Sequence, residues 1–163
     1  MVLQTAFNCV HRQIVFTFPE QLRKFFFYPF ERRINLLFQA VDETIYSILN
    51  FSFKKNKKGK LKKYRSKIKY TPGFFAFLHT FGRELKWNPH IHVLIVELKI
   101  GDDNSCKTWN YFDYDALSLR FQKILLDLLA KDIGPSFNQL KNSLYAKYNK
   151  GFYVYAKPKN SKI

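Results

Sequence analysis

The hydrophobic positions of this chain change period several times, and the changes mark out its elements. His11 to Phe18 (HRQIVFTF) is rich in β-branched and aromatic residues and stops at Pro19, which predicts a strand. Pro19 and Glu20 then suit the first turn of a helix running through PEQLRKFFFY, and Pro29 restarts a second one. From Phe30 the period becomes helical: Ile34, Leu37, Phe38, Val41, Ile45, Ile48 and Leu49 recur at steps of three and four, an amphipathic helix of about five turns. Gly73 to Thr80 (GFFAFLHT) and His90 to Leu98 (HIHVLIVEL) read as two buried strands, with Asn88-Pro89 as the turn entering the second. Gly101 to Asn104 (GDDN) is a turn. Asp115 to Asp132 forms a helix capped by Asp113 or Asp115 and broken at Gly134-Pro135. A short helix to about Tyr148 and a last strand, GFYVYAK, follow. Strands mixed with long helices that do not alternate regularly predict an α+β fold, one sheet covered by helices.

A chain of 163 residues fits a single domain. Charge changes the picture more than size does. The formal net charge is +16, which makes a polyanion the natural partner, either nucleic acid or an anionic membrane surface. The longest uncharged stretch, Tyr70 to Gly82, is too short to span a bilayer and contains Pro72, Gly73 and His79. The start of the chain carries no signal-peptide pattern, so the expected compartment is the cytoplasm. Cys9 and Cys106 share no Cys-x-x-Cys spacing and point to neither a disulfide framework nor a zinc knuckle.

Ten basic residues and no acid fall between Lys54 and Lys69: Lys54, Lys55, Lys57, Lys58, Lys60, Lys62, Lys63, Arg65, Lys67 and Lys69. Charges this dense repel one another and stay solvated, so the segment is expected as a flexible or hairpin-like surface loop. One reading is a solvated run. The other is a grip on nucleic acid, because no acidic block elsewhere balances it, each lysine that meets a phosphate releases a counterion, and Tyr64 is placed to stack on a base. Contacts of that kind position a strand without reading its sequence.

Two of the four histidines, His90 and His92, stand one residue apart where an apolar strand begins. On a strand they project from the same pleat, together with Leu94 and Val96, while Ile91, Val93 and Ile95 face the other way. They are either half-buried polar residues or a pre-aimed pair of metal ligands; His-x-His alone is a weak signal. Glu97 falls on the opposite face. His79, near the end of the preceding strand, is the third candidate, since an antiparallel partner would bring it alongside; His11 is a more remote one.

Three blocks, HRQIVFTFPEQLR, PGFFAFLHTFGRELKWNPHIHVLIVE and FYVYAKP, together resemble the rolling-circle transposases of bacterial insertion sequences, which belong to the HUH endonuclease superfamily named for its His-hydrophobic-His motif. The middle block is long and far more specific than His-x-His alone. The resemblance covers nearly the whole chain and is loose around the lysine segment and from Asp102 to Tyr148. It implies an antiparallel sheet like that of the RNA-recognition motif, with His90 and His92 on a central strand holding a divalent cation (Mg2+ or Mn2+). It also implies cutting and rejoining of single-stranded or hairpin DNA, in which a tyrosine hydroxyl attacks a phosphate that the cation polarises.

The chain departs from that pattern in two places. The family carries a cysteine-rich zinc-binding segment before the first strand; here Cys9 stands alone. It also carries a tyrosine pair four positions apart on a helix beyond the last strand, and Tyr-x-x-x-Tyr occurs nowhere in this sequence. Tyr145 and Tyr148 are three apart and precede the last strand. The expectation is therefore a single core domain over 1–163, trimmed at both ends, with the nucleophile missing. It is either a strand-transferring transposase that works with a further segment or a non-catalytic binder of single-stranded DNA; a replication initiator or relaxase is the more distant alternative.

Overall fold

The computed structural model describes residues 10–55, 61–82, 84–109 and 112–156. Strand β1 (His11–Phe16) leads through Pro19 into a short helix α1 (Glu20–Arg23) and a 3-10 turn over Lys24–Phe26. The long helix α2 (Phe30–Asn50) runs straight into a two-stranded ribbon, β2 (Phe51–Lys55) and β3 (Leu61–Arg65). Then come β4 (Tyr70–Phe81), β5 (Trp87–Gly101) and the short β6 (Cys106–Thr108). Helices α3 (Tyr114–Ile133) and α4 (Asn138–Lys147) precede β7 (Val154–Ala156).

The main sheet has the order β4-β5-β1-β7, with β6 also paired to β5, and every pairing is antiparallel. One face is covered. Ile14 and Phe16 of β1 and Ile91, Val93 and Ile95 of β5 are fully buried against Leu37, Val41 and Ile45 of α2 and Leu117, Phe121 and Leu125 of α3. The apolar stripe predicted for α2 is the stripe that is buried. Between the long helices, Asp132 accepts from Arg33 Nε at 2.9 Å and also meets Arg32. Arg33 in turn donates to the carbonyls of Phe25 and Tyr28, so one guanidinium ties the start of α2 to the end of α3 and to the α1 turn. Helix α3 is capped by Asp113, whose carboxylate accepts from Ala116 N at 2.9 Å.

Two expectations need correction. The strand at GFFAFLHT is not buried: β4 is the edge strand, and Phe75 and Phe77 are 69% and 53% exposed. Asn88-Pro89 is not a turn but lies inside β5. The chain reverses instead between β4 and β5, where Gly82 N donates to Lys86 O at 3.0 Å, and the ladder is irregular between His79/His90 and Phe81/Trp87, where the N–H that proline lacks is least missed. The basic segment, where it is described, is a two-stranded antiparallel ribbon, in keeping with the hairpin-like form expected: Lys54 and Lys55 lie on β2, opposite Lys62 and Leu61 of β3.

The neck of that ribbon is closed by a residue to which no sequence pattern points. Asn50, at the end of α2, donates to the Tyr70 carbonyl at 2.9 Å and accepts from Tyr70 N at 2.7 Å, as a strand neighbour would. Ser66 N returns to the Asn50 carbonyl at 2.9 Å. The ribbon thus leaves and re-enters the domain at one buried amide.

Candidate metal centre

The uncovered face of the sheet carries the histidines. The register places His79 of β4 directly opposite His90 of β5, with His92 opposite Phe77. Two strands with period-2 alternation thereby bring three imidazoles to one spot. The rings of His79 and His92 stack with centroids 4.0 Å apart, and His90 lies 5.0 Å from His92 and 5.4 Å from His79. One ligand nitrogen from each falls within 4.8 Å of the other two. His11 shares the face but pairs with Val96, four residues along β1 from the position beside His92, and stays outside the cluster.

The ring orientations are set by partners. Asn88 O lies 2.6 Å from His90 Nδ1; a carbonyl only accepts, so Nδ1 carries the proton and the Nε2 lone pair is free. Gln13, on β1, sits 2.9 Å from His92 Nδ1. Its carboxamide presents nitrogen or oxygen there by a flip, so it accommodates either tautomer of His92, including the one that frees Nε2. The His92 pKa is held below its ordinary value, first by burial and then by the neighbouring imidazoles of His79 and His90. Both causes favour the neutral ring, the form a ligand needs.

This donor set fits a divalent cation. Three imidazole nitrogens converge within 4.8 Å of one another, and nitrogen ligands sit about 2.1 Å from a zinc-sized ion, so small ring rotations bring all three within reach. Imidazole matches first-row transition ions better than Mg2+, which prefers oxygen.

Other polar and aromatic side chains, and the basic segment, lie elsewhere. Glu97 is on the helical side, as its parity requires; it is buried and accepts from Arg12 Nε at 3.0 Å, while Arg12 also donates to the Tyr114 hydroxyl. Trp87 is half-buried, donates from Nε1 to the Arg23 carbonyl at 3.1 Å and meets Phe27 and Phe81 edge-on, so it anchors the α1 turn. Tyr145 and Tyr148 belong to the helical layer: the carbonyl of Tyr148 accepts from Gln122 of α3, and its ring meets Phe152 edge-on. Of the basic segment, Lys54, Lys55, Lys62, Lys63 and Arg65 lie on the ribbon strands and Lys67 and Lys69 on the return to β4, whereas Lys57, Lys58 and Lys60 fall outside the described residues. Sequence reasoning missed Gln13, whose only signal was sharing the histidines' face once β1 and β5 are paired.

A transposase of insertion sequence element IS801 from Pseudomonas savastanoi pv. phaseolicola is 29% identical over 134 residues, covering 82% of this chain and 27% of that protein. The chain thus spans about a quarter of that relative's length. Among solved structures, the conjugative relaxase TrwC, determined in complex with oriT DNA in a metal-free form, superposes with a TM-score of 0.52 at 17% identity, over 73% of this chain and 43% of the relaxase. At that identity the likeness is one of fold. Residues 73–162, more than half the chain and including all three clustered histidines, match the family Y2_Tnp, described as putative transposase. The chain belongs to the Y2_Tnp family of putative transposases.

Proposed function

We propose that this chain is the metal-bearing, DNA-handling core of an insertion-sequence transposase, acting on single-stranded or hairpin DNA. One observation carries the reading: His79, His90 and His92 converge on the open face of a strongly basic domain. A divalent cation held there supplies positive charge against the oxygens of a bound phosphate. The protein's own part is to hold the three rings together and aim them. His90 is oriented by Asn88 O and His92 by Gln13, while the lysines of 54–69 hold the flanking phosphates. Because the donors are all imidazoles, Mn2+ is the better of the two cations expected. Tyr145 and Tyr148, on the helical side, do not supply a nucleophile to a phosphate at the histidines.

The test is thermal unfolding with and without Mn2+. At a hundredfold excess over Kd the ion should stabilise the wild-type chain by about 2.7 kcal/mol. His92→Ala and His79→Ala should each remove that gain while barely changing the metal-free melting temperature, since apolar residues on the opposite face hold the sheet. A Mn2+ shift that survives in His90→Ala/His92→Ala overturns the site.

A further inference from the structure

Around the histidines the open face is aromatic. A single cross-strand row runs Phe77, His92, Val15, Tyr155 across all four main strands, from one edge to the other. Phe75 stands two positions along β4 from Phe77, and Tyr153 two positions from Tyr155. All four rings are solvent-exposed: 69% and 53% for the phenylalanines, 64% and 44% for the tyrosines. The tyrosine rings are parallel within 5°, their centroids 6.0 Å apart. Stacked bases occupy about 3.4 Å per layer, so a base has no room between these rings and must lie on an outer ring face.

So large an apolar surface around a polar cluster calls for an occupant. A second copy would press two chains of formal charge +16 together. A polyanion meets the opposite condition, since no Asp or Glu lies on the open-face positions of β1, β4, β5 or β7 among the described residues. Unpaired nucleotides supply both phosphates for the charge and flat π-faces for the rings, and a sheet with exposed aromatics is a general solution for holding them.

We propose that Phe75 and Phe77 on one edge, and Tyr153 and Tyr155 on the other, are two base-stacking platforms flanking the histidine cluster, and that an unpaired DNA strand lies across the sheet from one to the other. This rests on the reading of the chain as a DNA-handling core and adds the residues that hold the bases. The platforms are three strand spacings apart, about 14 Å at roughly 4.8 Å per spacing. With one base anchored at each edge, the backbone between them passes over His92, whose row both platforms share. The platforms therefore position the strand, and the histidines meet a phosphate in the gap.

The experiment compares two labelled probes of equal charge: an oligothymidylate of about 15 nucleotides and an abasic strand of the same length. Wild-type protein should bind the base-bearing strand at least tenfold more tightly. Tyr153→Ala/Tyr155→Ala and Phe75→Ala/Phe77→Ala should each cut that affinity by about tenfold or more, leaving abasic affinity, salt dependence and melting temperature unchanged. Tyr155→Phe should keep the affinity, because the ring and not the hydroxyl is used. Equal affinity of wild-type protein for both probes, or variants that weaken both probes alike, overturns the platforms while leaving the DNA reading intact. Binding of neither probe overturns both readings. Alanine variants that dissociate a dimer seen by sedimentation assign the face to a second copy, and variants that lower the melting temperature assign the rings to packing within the chain; either result overturns the proposal.

Discussion

His92 shows how much a single side chain's surroundings decide. An exposed histidine titrates near neutrality, which would leave a ligand half-protonated where it is needed. Burial first, and the imidazoles of His79 and His90 second, hold the folded His92 below that value. The sign follows from proton counting. As pH falls below the ordinary histidine value, the unfolded chain takes up a proton at this position before the folded one does, so His92's contribution to stability is complete above that value and is lost on acidification toward the lowered folded pKa. Protons and cation also compete for the same lone pair. The Mn2+-induced rise in melting temperature should therefore persist from pH 8 to about pH 6.5 and decline steeply below it, while His92→Ala should show no shift at any pH. A metal shift independent of pH down to 5 would mean that the ion sits elsewhere.

At the scale of elements, the delivery of β7 to the sheet edge depends on one glycine. Gly151 has φ +89°, a left-handed conformation that favours glycine, and an added Cβ would fall 2.3 Å from the Ser118 carbonyl carbon of α3. The close approach allows Phe152 N to donate to Ser118 O at 3.2 Å and Thr17 N to Tyr153 O at 2.9 Å, and this sets Tyr153 and Tyr155 on the open face. Gly151→Ala combines backbone strain with a steric overlap against main chain that cannot rotate away. It should cost about 2 kcal/mol or more, read as a lower urea midpoint, and should loosen β7 first. Gly134 makes the useful comparison: its φ is +90°, yet nothing lies within 4 Å of an added Cβ, so alanine there brings only the backbone strain and should cost less.

At the scale of the whole molecule, the buried core lies between the sheet and the long helices, the aromatic and histidine face lies opposite, and a ribbon whose strands hold Lys54, Lys55, Lys62, Lys63 and Arg65 leaves the domain at a neck closed by Asn50. Affinity for a DNA strand should then divide by scale: bases at the face, phosphates at the ribbon. Replacing Lys62, Lys63 and Arg65 together by glutamine should weaken binding to single strands of any sequence and reduce the salt slope by about 0.7 for each phosphate no longer neutralised, with no change in preference for base-bearing over abasic strands. A slope unchanged by the triple substitution would make the run a merely solvated arm. No helix among the described residues is long and apolar enough to cross a membrane, so the excess charge has no bilayer-spanning helix to flank there.

Periodicity alone settled a good deal. The α2 stripe and the facing of His90 and His92 away from Ile91 and Val93 follow from 3.6- and 2-residue repeats, the break at Gly134-Pro135 follows from glycine and proline chemistry, and all of them stand in the structure; of the two caps open for α3, Asp113 and Asp115, the fold uses Asp113. The long block around His90 also carried the family resemblance. Strand adjacency was not legible, because alternation tells which side a residue faces but not which neighbour stands beside it. That is why β4 read as a buried strand: its alternating phenylalanines would suit a core, and only its place at the edge, with helices on one side alone, leaves Phe75 and Phe77 in solvent. Residues distant in sequence met through pairing: His79 with His90, Gln13 with His92, Tyr155 with the row that ends at Phe77. The sequence by itself determined which residues could share a face, because side-chain direction is a property of the local backbone; the tertiary structure alone decided which of them touch, because register is set by long-range packing of the buried side.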